Sequence, residues 1–134
     1  MKKIIAPGIV AGFVTLVVGV VISSLFVAFP SVLADYQNMM RPWSDPLIFV
    51  FALYPLLQGI MFAWVWDKTK NLFSGTTMER GARAGVLAWA VAILPGLLAN
   101  YSGFPLSLLT IVSWGVNGLV CAVISGMIFA KMNA

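Results

Sequence analysis

The chain has 134 residues, of which 61% are hydrophobic and only 9% charged, with a mean hydropathy of +1.00 and a formal charge of +4. A water-soluble domain carries about 25% charged residues, so this composition excludes a fold that meets water on all sides. With no histidine and a single cysteine, histidine-based metal and acid–base sites, internal disulfides and CxxC redox motifs are excluded too.

A membrane crossing takes roughly 20 apolar residues. Four segments meet that length, and the expected fold is an all-α, four-helix transmembrane bundle forming one polytopic domain. The first span covers residues 4–29 and contains no charge. Lys2 and Lys3 resemble the basic start of a signal peptide, and Val32-Leu33-Ala34 resembles a cleavage site. The apolar run is longer than the roughly 7–15 residues of a signal core, so a retained span is expected. The second span covers 47–66, between Asp45 and Asp67. Ser44-Asp45-Pro46 sets a capping side chain ahead of a proline at the first helical position.

The third span is predicted over 77–98. Thr76 and Glu79 have capping-box spacing, and Glu79 and Arg83 are an i,i+4 pair. Pro95-Gly96 is expected to bend the far end of this helix. A short turn over Asn100–Pro105 makes the third and fourth helices antiparallel neighbours. The fourth span covers 106–130. Strands are excluded because an open strand leaves its backbone unsatisfied in lipid, and no segment alternates as a membrane barrel does.

Seven of the eight basic residues (Lys2, Lys3, Lys68, Lys70, Arg80, Arg83 and Lys131) lie at the termini or in the middle loop. Only Arg41 lies on the other side, so the positive-inside rule puts both termini in the cytoplasm. The cytoplasmic membrane of a prokaryote is the expected location. The basic charge therefore reads as a topology signal, with contact to anionic lipid headgroups as its further use. A short loop offers no surface for nucleic acid.

Helices in lipid associate through small residues and interhelical hydrogen bonds. On the first span, Gly8, Gly12, Thr15, Gly19 and Ser23 fall on one narrow stripe. Packing within the chain is its expected use, with homo-oligomer contact as the alternative. On the fourth span, Ser107, Thr110, Trp114, Asn117, Gly118, Cys121 and Ser125 share a face. Gln58 and Asn117 each lie eleven residues from the outer start of their helix, about 17 Å down at 1.5 Å per residue. Thr15 and Trp89 are near the same depth. A mid-membrane polar layer of Thr15, Gln58, Trp89 and Asn117 is therefore expected, with Gln58 and Asn117 hydrogen-bonded directly or through water. In the outer loop, Asp35, Arg41, Trp43 and Asp45, with Tyr101 on the same side, form a second candidate region. Arg41 is expected to pair with a neighbouring carboxylate there.

The spans hold no Asp, Glu, Lys, Arg or His in their cores, which argues against proton-coupled carriers, pumps and voltage sensors. In size and span count the chain is similar to the small multidrug-resistance exporters, but their membrane glutamate has no counterpart here. The glycine–arginine motif of fluoride channels is also missing, and no family is recognised. Ser23, Ser24, Ser113 and Ser125 have no histidine as base, and Cys121 sits in an apolar setting. The sequence thus points away from an enzyme and from any metal or cofactor. It suggests a non-enzymatic membrane scaffold or accessory subunit, bearing on the lipid bilayer and on a membrane-protein partner or second copy. The alternative is a channel or carrier for a small uncharged solute through the polar layer.

Overall fold

The computed structural model describes all 134 residues and is wholly helical: α1 (Lys2–Val27), α2 (Pro30–Met39), α3 (Val50–Thr69), α4 (Thr77–Ala92), α5 (Leu94–Gly103) and α6 (Leu108–Met132). A 3-10 turn, Pro46–Phe49, leads into α3, and another, Lys70–Leu72, follows it. Four helical stretches are long and apolar enough to cross a membrane: Lys2–Val27, Pro46–Leu72, Thr77–Gly103 and Leu108–Met132.

The helix boundaries follow from local chemistry. Phe29 is extended and Pro30 occupies the first turn of α2, so the chain bends there and the first span ends at Val27, two residues before the expected boundary. Asp45 accepts a hydrogen bond from Leu47 N (2.9 Å) ahead of Pro46. Gly75 has φ of +114°, a backbone region that a side chain disfavours, and it turns the chain into α4. The capping box then closes: Thr76 N donates to Glu79 Oε2 (2.8 Å) and Glu79 N donates to Thr76 Oγ1 (3.4 Å). With Glu79 engaged there, Arg83 donates instead to Ser74 O (3.2 Å), and the expected Glu79–Arg83 pair does not form.

The third span breaks at Ile93, just before Pro95-Gly96, into α4 and α5. Proline has no N–H to donate to the preceding turn and its ring crowds that turn. Beyond the break the helix runs to Gly103, five residues past the predicted end at Leu98, so the connection to α6 is shorter than expected.

The most extensive helix pairings are α1 with α3, α1 with α6, and α4 with α6. The spans are therefore ordered α3, α1, α6, α4, and α3 and α4 scarcely touch although they are consecutive in the chain. Two glycine crossings bring the backbones together. At α1–α3, a methyl added at Gly8 would stand 2.5 Å from Ile60 Cα, and one at Gly12 would stand 2.7 Å from Leu56 Cα; Gly59 lies against both glycines. At α4–α6, a methyl at Gly81 would stand 2.5 Å from Gly126 O, while Gly85 lies against Ala122. Small residues permit this approach, and the dispersion contacts it brings are a main source of helix association where burial of apolar area gains little.

Candidate functional site

Helix α6 carries the most buried residues of any helix, and its polar side chains bond to α1 and α2. Where α2 meets it, Asp35 Oδ2 accepts hydrogen bonds from Ser107 N (2.9 Å), Ser107 Oγ (2.8 Å) and Thr110 Oγ1 (2.6 Å). Ser107 is itself the N-cap of α6. A carboxylate from one helix thus satisfies orphan donors at the start of another, where the helix dipole also favours negative charge. The bonds from Thr110 and then Ser107 hold the Asp35 carboxyl below its ordinary 3.8. Trp114 Nε1 donates to Tyr36 OH (3.0 Å), and Val32 is fully buried, so α2 is docked along α6.

The other outer-loop candidates do not join Asp35. Arg41 Nη1 pairs with Asp45 Oδ2 at 2.7 Å, as expected for a local ion pair. The bond from Leu47 N, followed by that from Arg41, holds the Asp45 carboxyl low as well. Trp43 is 89% exposed and Tyr101 half exposed, and neither side chain takes part in a hydrogen bond.

At mid-height the expected polar layer divides. Asn117 Nδ2 donates to Gly19 O (3.1 Å) and to Ser23 Oγ (3.0 Å), which fastens α6 to α1. The Cys121 thiol lies 3.3 Å from Asn117 Oδ1 and 3.7 Å from Thr15 O on the same seam. Trp89 Nε1 donates to Gly115 O (3.0 Å), which fastens α4 to α6. Thr15 Oγ1 donates to Ala11 O (2.8 Å) in its own helix, the usual outcome for a helical hydroxyl. Gln58 forms no hydrogen bond within the chain, so the expected direct bond to Asn117 is absent. The physical reason lies in the helix order: α1 stands between α3 and α6 and supplies the acceptors that Asn117 uses. The glycine stripe is divided likewise. Gly8 and Gly12 serve α3, whereas Gly19 and Ser23 serve α6.

At the end holding both termini, α3 and the close of α6 are laced together. Trp66 Nε1 donates to Asn133 O (2.8 Å), Lys70 Nζ to Asn133 Oδ1 (2.8 Å), and Asn133 Nδ2 to Asp67 Oδ1 (2.9 Å). Lys70 also lies 3.6 Å from Asp67. Arg80 donates through Nη2 to Lys70 O (3.0 Å), and its guanidinium lies 5.8 Å from the centre of the Trp66 ring, which stacks on Phe73. Sequence reasoning missed this cluster, since nothing in the spacing of Trp66, Lys70 and Asn133 relates them. It also missed the α4–α6 crossing, although Gly81 and Gly85 repeat the four-residue spacing of Gly8 and Gly12.

Because α3 and α4 stand apart, a cleft of about 330 Å³ opens between them, with α6 as its floor. Its walls are almost entirely apolar, and include Phe62, Trp66, Phe73, Ala88, Val91 and Phe129. The one hydroxyl in this lining, Thr69 Oγ1, donates to Val65 O (2.9 Å), and the hydrophobic remainder is a surface that accepts apolar groups. The chain matches no family model, no curated protein and no solved structure.

Proposed function

We propose that the protein is a multi-pass integral membrane protein, both termini cytoplasmic, that acts without catalysis as a scaffold or accessory subunit. Its helical stretches have spanning length, and large apolar residues such as Phe13, Leu25, Phe51, Leu57, Val91 and Leu98 face outward. That surface is unfavourable in water and neutral against acyl chains. Seven basic residues at or beside one end support a cytoplasmic assignment for that end, and the cytoplasmic membrane of a prokaryote is the proposed setting.

The observation that carries the scaffold reading over a solute path is the use of three of the four mid-height polar groups, Gln58 being the one without a bond. Asn117 and Trp89 are committed to helix–helix bonds and Thr15 to its own backbone. A solute path would need such groups turned toward a continuous opening. Working surfaces are then the outer faces, the α2 end and the cleft between α3 and α4, open to the bilayer and to a second copy or membrane-protein partner. The test is reconstitution of the whole chain into vesicles followed by flux of urea and glycerol. Inert vesicles are expected, together with a stoichiometric membrane partner or homo-oligomer on mild extraction. Solute flux that disappears in Asn117→Leu overturns the scaffold reading in favour of a channel or carrier.

A further inference from the structure

We infer that the cleft between α3 and α4 holds an acyl chain of one anionic phospholipid, with its phosphate at Arg80. The inference rests on the membrane reading above and names a specific partner for that fold. Three observations meet at one place. The cleft is concave and apolar, and its volume of about 330 Å³ lies within the roughly 300–1,000 Å³ typical of small-molecule sites. Its terminal end is walled by Trp66, an amphipathic ring of the type found at headgroup depth, and by Phe73 stacked on it. Arg80 lies over that same Trp66, one helical turn from the cleft-lining Ala84.

Charge complementarity favours an anion at this mouth. Neither Arg80 nor Arg83 forms a salt bridge. The nearby carboxylates are engaged elsewhere, Glu79 in the capping box and Asp67 with Asn133 and Lys70. Of the five N–H donors of the Arg80 guanidinium, one bond within the chain is formed, through Nη2 to Lys70 O. Nε is buried, so the donors left for a phosphate are those of Nη1 and the second Nη2 hydrogen, which match an end-on phosphate fork. The acyl chain alone gives no selectivity, because bulk lipid is as apolar as the cleft. Discrimination among lipids must therefore come from the arginine, and residence from the shape of the cleft.

Native mass spectrometry of the full chain, released from detergent micelles containing equimolar dioleoyl-phosphatidylglycerol and dioleoyl-phosphatidylcholine, tests this. One phosphatidylglycerol is expected to stay bound in preference to phosphatidylcholine. The preference should fall about fivefold in Arg80→Gln, the effect of one basic group at a membrane surface. Ala88→Phe, which fills the cleft, should remove the adduct while leaving Arg80 in place. Where a variant fails to fold, the unaltered chain is read in phosphatidylcholine vesicles by tryptophan quenching. Phosphatidylglycerol with brominated acyl chains should then quench more than equally brominated phosphatidylcholine. Equal retention or equal quenching of the two lipids overturns the inference. So does an adduct that survives Ala88→Phe, or a dimer whose interface occupies the cleft. A chain that leaves membranes in alkaline carbonate without detergent sinks the membrane reading itself. One that needs detergent yet holds no phosphatidylglycerol sinks this inference alone.

Discussion

Gly81→Ala is the sharpest probe of what holds α4 against α6. The new methyl would lie 2.5 Å from Gly126 O and 2.7 Å from Met127 Cα, whereas ordinary contact begins near 3.4 Å. Both obstacles are backbone, so no rotamer change relieves them, and α4 must withdraw by about 0.9 Å. A gap of roughly 0.5–1 Å forfeits a quarter to a half of each dispersion contact along the crossing. It also stretches the Trp89–Gly115 bond, now 3.0 Å. Overpacking of this kind costs about 1–3 kcal/mol, and about 2 kcal/mol is expected here. Gly85 makes the same approach one turn further along. One withdrawal relieves both clashes, so Gly81→Ala with Gly85→Ala should cost less than the sum of the two. Gly96, with nothing within 4 Å of an added methyl, is the control; Gly96→Ala should be neutral or stabilising by up to about 1 kcal/mol. The assay is reversible unfolding in mild detergent with increasing dodecyl sulfate, followed by circular dichroism. A Gly81→Ala chain as stable as Gly96→Ala, or strictly additive glycine variants, would refute the close-packed crossing.

Asn117→Leu should cost about 0.6–2 kcal/mol by the same unfolding measurement, the range for interhelical hydrogen bonds in membranes. Gln58→Leu should cost under about 0.5 kcal/mol, and the two losses should add because the side chains share no bond. Asp35 contributes acid sensitivity: its folded carboxyl titrates below 3.8, so its stabilisation is complete above that value and is lost as pH falls through the lower folded one. Asp35→Asn should reduce stability at neutral pH and flatten that part of the acid limb in a pH series of thermal melts, leaving the share due to the other hydrogen-bonded carboxylates, Asp45 among them. With Cys121 replaced by Ala, a cysteine at Trp43 should react with a membrane-impermeant maleimide on intact cells. A cysteine at Ser74 should react only after the membrane is opened; the reverse pattern would invert the orientation assigned from the basic residues.

Much of the architecture was legible in the chain because its causes are local. Four apolar runs of spanning length, the Asp45-Pro46 start, the Thr76–Glu79 capping box and the break ahead of Pro95-Gly96 depend on residues within a few positions of each other. The third helical stretch ends at Gly103, beyond the predicted Leu98, since an apolar helix can continue past the point where hydropathy suggests a turn.

What only tertiary structure decided was partnership. Gln58 and Asn117 were matched by depth, a one-dimensional quantity, but hydrogen bonding also requires adjacent helices, and α1 stands between theirs. Asp35 read as a member of an outer-loop charge cluster, yet its three donors lie more than 70 residues away at the start of α6. The cleft could not be read at all, since it exists because α3 and α4 follow each other in sequence without packing together. Hydropathy and caps are summed along the chain, whereas neighbour order is chosen by which small-residue faces approach most closely, and in this protein Gly59 and Gly126 made that choice.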